Sequence, residues 1–324
     1  MSKMSFAQAT LEAMAEEMRR DPTVFLMGED IGRQGGIFGQ FKGLSEEFGT
    51  LRVIDTPISE TAIIGGGVGA ALNGARPVVD MHFADFITVA MDEIVNQMAK
   101  ARYMFGGQCS VPLVLRAPDG IARSAAAQHS QSLEAWFLHV PGLKVVVPSN
   151  PADAKGLLKS AIRSDDPVLY FEHKMLFPMV GEVPEGEHLV PIGQAKIARE
   201  GADATIVSYS AMMHRALEAA EKLAADNIAA EVIDLRTISP FDKEAIKTSV
   251  MKTKRLLIVH EAVKQGGVGA EISAFVAEEL IDYLDAPIKR LGAPFVPTPF
   301  SPALEKLVKI SADDIVREVK SLFR

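Results

Sequence analysis

A strand, a helix and a second strand are encoded in residues 52–81, which read RVIDTPISETAIIGGGVGAALNGARPVVDM. Arg52–Asp55 and Pro77–Met81 are short apolar runs of the kind that form buried strands. The small-residue segment between them, from about Ser59 to Gly74, favours a helix. A helix that joins two strands is the crossover connection of a parallel sheet. The stretch therefore predicts an α/β fold.

The same alternation of strands and helices continues on both sides of this stretch. The predicted helices are Met4–Met18, Ile87–Tyr103, Pro151–Arg163, Ala211–Ala225, Asp242–Met251, Val268–Tyr283 and one from about Ser311, and the predicted strands are Thr23–Met27, Pro112–Arg116, Leu143–Val147, Pro167–Phe171, Ala204–Tyr209, Ala230–Asp234 and Arg255–His260. Strands that alternate with long helices indicate a parallel sheet covered by helices on both faces.

The length of 324 residues predicts two domains, because a typical domain has about 150 residues. The composition changes at Gly181–Pro191, where glycine and proline interleave with glutamate. Such a segment is typical of an interdomain linker. We therefore expect an N-terminal domain over residues 1–180, a linker over 181–191 and a C-terminal domain over 192–324.

Composition excludes several classes of protein. With 34 Lys and Arg against 42 Asp and Glu, the net charge is −8, and no basic cluster suits nucleic acid. Apolar runs such as Ala84–Ala90 are far shorter than the ~20 residues of a membrane span. The single Cys109 excludes a disulfide framework and a cysteine-rich zinc site. Met1–Arg20 resembles neither a signal nor a transit peptide, so we expect a cytoplasmic location.

Asp55–Thr61 places the carboxylate of Glu60 where a strand gives way to a helix. Open α/β sheets bind ligands at such positions. The alternative is purely structural: Ser59 caps the helix and Glu60 interacts with the positive end of its dipole. Spacing alone leaves both interpretations open.

Four glycines follow within the same predicted helix, at Gly65, Gly66, Gly67 and Gly69. They superficially match a dinucleotide-binding fingerprint, but that motif belongs in a turn directly after a strand. Four glycines cost about 3–4 kcal/mol of helix propensity relative to alanine. We therefore expect close packing of this helix, at a subunit contact, to compensate for them.

Two further segments contain candidates for chemistry. One of Phe83 and Phe86 could line a pocket, although a pair of core aromatics is the more common reason for such a sequence. His129 lies in a loop of small and polar residues and is a candidate for general acid–base catalysis near neutral pH. The alternative is a solvated loop histidine without a catalytic role. The remaining histidines lack metal-ligand spacing, and phosphate-loop, serine-elbow and zinc-protease motifs are absent.

Taken together, the chain resembles the β subunit of the E1 component of 2-oxo acid and acetoin dehydrogenase complexes, a transketolase-like family. The matching segments, in family order over nearly the whole chain, are Gly28–Asp30, Asp55–Glu60, Phe83–Phe86, Ala127–Gln131, Pro141–Val146, Asp153–Leu158 and Asp234–Thr237. The resemblance implies a pyrimidine-binding domain followed by a transketolase C-terminal-like domain.

This resemblance implies that thiamine diphosphate binds between two subunits. The α subunit would hold the diphosphate through Mg²⁺, which agrees with the absence of Gly-Asp-Gly here. Glu60 would hydrogen-bond a pyrimidine ring nitrogen and Phe86 would pack on the ring face. Ile58 and His82 would line the same pocket, although His82 replaces the family's usual Met or Gln.

The resemblance also assigns roles outside the pyrimidine pocket. His129 would face the thiazolium ring and assist transfer to lipoamide. A monovalent cation, K⁺, would lie among oxygens of Leu113, Ala161, Ile162, Ser164 and Asp166, with Ser164 where the pyruvate-specific relatives carry Asp. The implied partners are the α subunit in an α2β2 tetramer and the lipoyl and peripheral-subunit-binding domains of E2.

The sequence leaves the substrate open between acetoin, pyruvate and branched-chain 2-oxo acids. Ala125–Gln128 and Glu172–Lys174 resemble the acetoin branch, whereas Phe83–Phe86 and His260–Ala262 resemble the branched-chain branch. We lean towards acetoin or pyruvate. The alternative function is a non-catalytic assembly subunit that binds only the α chain and E2. A self-sufficient thiamine enzyme would need its own Gly-Asp-Gly motif.

Overall fold

The computed structural model describes residues 1–324, which divide into two compact units. The first unit contains residues 1–119 and 136–192, and the second contains residues 120–135 and 193–324. The segment 120–135, which includes His129, thus groups with the C-terminal part of the chain. A division into continuous domains does not anticipate this grouping.

The strands and helices are numbered in chain order. The strands are β1 (Ser2–Ser5), β2 (Val24–Gly28), β3 (Val53–Asp55), β4 (Arg76–Asp80), β5 (Val114–Asp119), β6 (Lys144–Val146), β7 (Val168–His173), β8 (Val180–Val183), β9 (Lys196–Arg199), β10 (Ala204–Ser208), β11 (Ala230–Asp234), β12 (Thr237–Ser239), β13 (Leu256–Val263) and β14 (Lys289–Ala293). The helices are α1 (Phe6–Arg20), α2 (Leu44–Phe48), α3 (Glu60–Leu72), α4 (Ala101–Met104), α5 (Glu134–Leu138), α6 (Pro151–Ile162), α7 (Met212–Ala225), α8 (Lys243–Thr253), α9 (Val268–Glu279), α10 (Pro302–Val308) and α11 (Ala312–Lys320).

The first unit is built on a parallel sheet in the order β6-β7-β5-β4-β2-β3. Val78 and Val79 of β4 face opposite sides of this sheet, as neighbours in a strand must. Val78 belongs to the core formed with α1 and α6, whereas Val79 lies against α3. The predicted α/β class, with helices on both faces of a parallel sheet, is therefore confirmed.

The glycines of α3 differ in what they do. A Cβ at Gly67 would lie 2.7 Å from Val79 Cγ1 and 2.9 Å from Leu113 Cδ1, so this position needs glycine for α3 to approach its own sheet. A Cβ at Gly69 would meet no atom within 4 Å. Close packing within the unit thus accounts for one of the four glycines, and a subunit contact stays a prediction for the others.

The predicted helix Ile87–Tyr103 is wrong as a single α-helix. Residues Ala84–Ala90 form a 3₁₀-helix, Glu93–Met98 form a π-helix, and α4 follows separately. The amide of Ala99 donates to the carbonyl of Ile94, which is the wider turn of a π-helix. Gly142 (φ +101°) also approaches this point so closely that a Cβ there would lie 2.1 Å from Ala99 O.

Part of the predicted linker is a strand. β8 pairs antiparallel with β1, and Ser2 lies opposite Val183. The glutamates that follow are ion-pair partners: Glu185 binds the N-terminal amine, and Glu187 binds Lys159 and Arg163. These glutamates make contacts within the first unit, which extends to residue 192, and the predicted domain bounds stay a prediction.

The second unit contains a sheet in the order β14-β13-β10-β11-β9. Its strands are parallel except β9, which pairs antiparallel with β11. α7 and α11 pack against it through a core that includes Ala216, Leu223, Ile315 and Val319. Strands β9 and β14 were not predicted, because they are short and lie at the edges of the sheet. Helix α10, which has only seven residues, was not predicted either.

Candidate active site

Three neighbouring strands of the first unit end at one edge of the sheet. β4, β2 and β3 are adjacent and parallel, so the residues that follow them meet there. His82 lies beyond the end of β4, Glu29 directly follows β2, and Glu60 begins the helix that follows β3. Carboxyl ends of parallel strands are where open α/β sheets bind ligands.

Glu60 is the first residue of α3 and is half-buried. The structure does not support the capping alternative for Ser59, because its side chain makes no cap hydrogen bond and its Oγ donates to Pro57 O at 3.0 Å. Glu60 therefore occupies a helix N-terminus whose amides are not satisfied by a side-chain cap. A helix N-terminus favours negative charge, which suits a carboxylate that must remain available to a ligand.

Glu29 is a neighbour of Glu60 that the sequence interpretation did not assign to the site. Burial raises the pKa of the Glu29 carboxyl; His82 lowers it, and the charges of Glu60 and Asp30 raise it further. A like charge nearby disfavours the ionised form of a carboxyl group. The signal was present in the sequence, because Gly28-Glu29-Asp30 follows a predicted strand just as Glu60 follows the next one.

His82 lies against Glu29 rather than standing alone. His82 Nε2 is 2.8 Å from the Glu29 carbonyl oxygen, and His82 Nδ1 is 3.4 Å from Glu29 Oε2. Only 17% of the His82 side chain and 13% of the Glu29 side chain are exposed. Glu29 is thus the partner of His82, and His82 orients the Glu29 carboxylate, which neighbours Glu60.

The apolar candidates differ in exposure. Ile58 is 80% exposed, whereas Phe86 is partly buried in the 3₁₀-helix that follows β4. The rings of Phe86 and Phe83 pack with 6.1 Å between their centroids. Lys174 Nζ lies over the Phe83 ring, 5.0 Å from its centroid. An exposed aliphatic side chain and a supported aromatic ring are suitable surfaces for a flat heterocycle.

His129 lies on the segment 120–135 of the second unit and is partly exposed. Its amide donates to Ala126 O at 3.4 Å, which places it at the end of a tight turn. The neighbouring Ser130 is buried. The structure therefore presents the histidine side chain from an ordered turn.

The five residues predicted to hold K⁺ lie around the end of α6 and before β5, and positive side chains contact oxygens of three of them, Ile162, Ser164 and Asp166. Arg76 Nη1 donates to Ile162 O at 3.0 Å and to Ser164 O at 3.1 Å. Asp166 pairs with Arg102 and with Lys144, whose Nζ lies 3.1 Å from Oδ2. At these three residues the arrangement does not suit a monovalent cation, because a like charge would share the same oxygens. The ion stays a prediction.

Two negative findings concern the chain as a whole. No helix is long and apolar enough to cross a membrane. No group of three or more His, Cys, Asp or Glu side chains is arranged to hold a metal ion.

Comparisons with known proteins match the two halves of the chain to two families. The family described as "Transketolase, pyrimidine binding domain" matches residues 2–179, and "Transketolase, C-terminal domain" matches residues 193–315. A split-gene transketolase, solved as an inactive β4 tetramer, superposes with a TM-score of 0.81 at 23% identity over 98% of both chains, which supports the fold.

Full-length relatives decide the family. The chain is 48% identical to the 2-oxoisovalerate dehydrogenase subunit beta of Bacillus subtilis over 99% of both chains. It is 47% identical to the acetoin:2,6-dichlorophenolindophenol oxidoreductase subunit beta of Cupriavidus necator, over 99% of this chain and 98% of that one. The chain belongs to the E1 β-subunit family of 2-oxo acid and acetoin dehydrogenases.

Another relative, the rice mitochondrial pyruvate dehydrogenase E1 component subunit beta-2, is 48% identical over 98% of this chain and 86% of its own length. The family and fold predicted from sequence are thus confirmed. Membership as an E1 β subunit implies an α-subunit partner, and the pyrimidine-binding domain implies thiamine diphosphate as the cofactor.

Proposed function

We propose that this β subunit grips the aminopyrimidine ring of thiamine diphosphate at the edge of its first sheet. Glu60 would hydrogen-bond a ring nitrogen, Phe86 would pack on the ring face, and Ile58 would cover it. The observation that carries this proposal is the half-buried Glu60 at the start of α3, where the parallel strands β4, β2 and β3 end together.

The residues of this chain would control protons at the ring. When bound, thiamine diphosphate supplies the electron sink for cleavage next to a carbonyl group. Glu60 holds or releases a proton at the ring nitrogen, which is efficient when its proton affinity is close to neutral pH. Glu29, which His82 contacts, lies near Glu60 at the same edge of the sheet.

The partners follow from a division of labour between chains. This chain lacks the Gly-Asp-Gly motif, and no cluster of its side chains is arranged for a metal ion. We therefore propose that the α subunit holds the diphosphate and Mg²⁺ in an α2β2 tetramer, and that E2 receives the product group on lipoamide.

We propose acetoin or a small 2-oxo acid as substrate. The relatives named above act on 2-oxoisovalerate, pyruvate and acetoin according to their names, and their identities of 47–48% do not separate these choices. One methylene in an apolar pocket discriminates by only about 1–3 kcal/mol. A turnover panel of acetoin, pyruvate and branched 2-oxo acids with the reconstituted tetramer decides between them.

Cofactor binding should require both chains. We expect calorimetry to detect no tight binding of thiamine diphosphate and Mg²⁺ to this chain alone, and micromolar or tighter binding after the α subunit is added. Tight binding by this chain alone would contradict the shared site. Assembly without any gain in binding would favour the alternative function, a non-catalytic assembly subunit.

His129→Ala should slow transfer to lipoamide. We expect transfer of the acyl or hydroxyalkyl group to free lipoamide to fall about 10²-fold, which is typical for loss of one acid–base group. His188→Ala is the matched control, because His188 Nε2 is engaged with Ala152 O at 3.1 Å in the first unit. Unchanged transfer by His129→Ala would remove the proposed role.

A further inference from the structure

The segment that carries His129 is held by side chains from two other elements of the second unit. Its base is closed by a hydrogen bond from Gly120 N to Gln131 O, 3.0 Å. Within it, Ile121 N donates to Glu261 Oε1 at 2.6 Å, and Ser124 N donates to Glu305 Oε2 at 2.7 Å. Glu261 belongs to β13 and Glu305 to α10. Two carboxylates that are distant in sequence therefore accept hydrogen bonds from backbone amides of one loop.

Glu305 is set up as a fixed acceptor. It is buried at 5% exposure, and its second oxygen forms an ion pair with Lys309, one helical turn further on. Hydrogen bonds from amides to a carboxylate are stronger than those between neutral groups, and burial strengthens them further. The ion pair with Lys309 also fixes the rotamer of the carboxylate that faces Ser124.

The loop needs such support because its backbone is strained next to the anchor. Ser124 (φ 53°) and Ala126 (φ 62°) both adopt the left-handed conformation, which residues other than glycine rarely adopt. Strained conformations persist only where their surroundings hold them. The Glu305 contact falls on the first of these residues. The second, Ala126, accepts the amide of His129 through its carbonyl oxygen.

We propose that Glu305 is a positioning residue for His129, with Glu261 as a second anchor of the same loop. Glu305 fixes Ser124, Ser124 and Ala126 set the turn, and the turn presents His129. This inference rests on the proposed role of His129 in transfer to lipoamide. It assigns a function to α10, a helix for which the sequence offered none.

Kinetics of Glu305 variants in the reconstituted tetramer test this role. Because small misplacements of an active group cost one to two orders of magnitude, Glu305→Ala should lower the rate of lipoamide transfer about 10–100-fold. Glu305→Gln, which keeps an acceptor oxygen, should recover most of that loss. Asp313→Ala is the control, because it removes an exposed carboxylate of the second unit that pairs with Lys222.

A double mutant distinguishes positioning from general stabilisation. If Glu305 acts through His129, adding Glu305→Ala to His129→Ala should change the transfer rate by less than about twofold, because effects of coupled residues do not add. A full additional 10-fold loss in the double mutant would overturn the proposal. So would wild-type rates for Glu305→Ala alone when His129→Ala is slow.

Limited proteolysis tests the anchor without relying on catalysis. Arg123 is exposed and lies between the anchored residues Ile121 and Ser124, so trypsin reports on the loop directly. In the full-length chain we expect cleavage after Arg123 to be at least about tenfold faster in Glu305→Ala than in wild type or Asp313→Ala. Equal cleavage rates would overturn the anchor. If Glu305→Ala is cleaved faster but His129→Ala transfers to lipoamide at the wild-type rate, only the proposed role of His129 is refuted.

Discussion

Replacing Glu60 by alanine should lower turnover by the reconstituted tetramer about 10²–10⁴-fold, the range expected when one positioned acid–base group is lost. Assembly with the α subunit should persist, because Ser59 and Glu60 provide no cap on which α3 depends. Turnover with saturating thiamine diphosphate and sedimentation of the tetramer are the two measurements. Near-normal activity in an assembled tetramer would refute the proposed role.

The rival explanation for Glu60 is its interaction with the dipole of α3, and a second variant isolates that effect. Glu244 lies in the first turn of α8, is exposed, and has no part in the candidate site. Glu244→Ala removes the same kind of interaction, worth about 0.3–1 kcal/mol. We expect both variants to unfold at similar denaturant concentrations and only Glu60→Ala to lose activity. Equal activity in the two would leave Glu60 with a structural role.

Glu60→Gln probes whether the proton matters or only the contact. The amide keeps the size of the side chain and an acceptor oxygen, but it cannot exchange a proton near neutral pH. We therefore expect cofactor binding close to wild type together with a loss of turnover almost as large as that of Glu60→Ala. Full turnover by Glu60→Gln would show that Glu60 only holds the ring.

The parts of the fold that the sequence predicts are those with strong periodicity. α1, α6 and the central strands β4, β5 and β7 appear close to their expected bounds, because each is buried on at least one face. Three-dimensional contacts decide the rest. The π-helix at Glu93–Met98 has no signature in hydrophobic spacing, since its wide turn depends on what packs beside it.

The candidate site shows the same limit. A carboxylate after a strand marks Glu60, and the same rule applied one strand earlier would have found Glu29. No local rule finds Glu305, whose partner Ser124 lies 181 positions away in the chain. A residue that acts on a distant loop has only the ordinary sequence environment of its own helix, so its role becomes visible only when the fold brings the two together.

The second large effect concerns a charge buried in the core of the first unit. Arg116 and Glu172 lie on β5 and β7 with side chains that are 0% exposed, joined by two hydrogen bonds. The guanidinium also donates to Thr10 Oγ1 at 2.9 Å and lies 4.5 Å from the centroid of the Phe41 ring. Glu172→Ala should destabilise the chain by about 3–5 kcal/mol, because it leaves a buried positive charge without its partner.

Chemical denaturation measures this loss, and two variants bracket it. Glu172→Gln keeps an acceptor for the guanidinium, so we expect a loss of about 1–3 kcal/mol. Glu218→Ala removes an exposed carboxylate that pairs with Arg215 and Lys222, and it should cost less than about 1 kcal/mol. If Glu172→Ala lowers the free energy of unfolding as little as Glu218→Ala does, other groups or water must solvate the charge of Arg116.

Asp80 makes the loss depend on a third group. It lies beside Arg116 in the register of β4 and β5, and neither of its carboxyl oxygens has a hydrogen-bond partner. Burial raises the pKa of Asp80 well above its ordinary range; Arg116 opposes this, and Glu172 and Glu29 add to it.

Without Glu172, the charge of Arg116 should ionise Asp80, which then replaces part of the lost ion pair. Combining Glu172→Ala with Asp80→Asn should therefore cost about 1–2 kcal/mol more than the sum of the single variants. Simple additivity would show that Asp80 does not compensate for the missing charge.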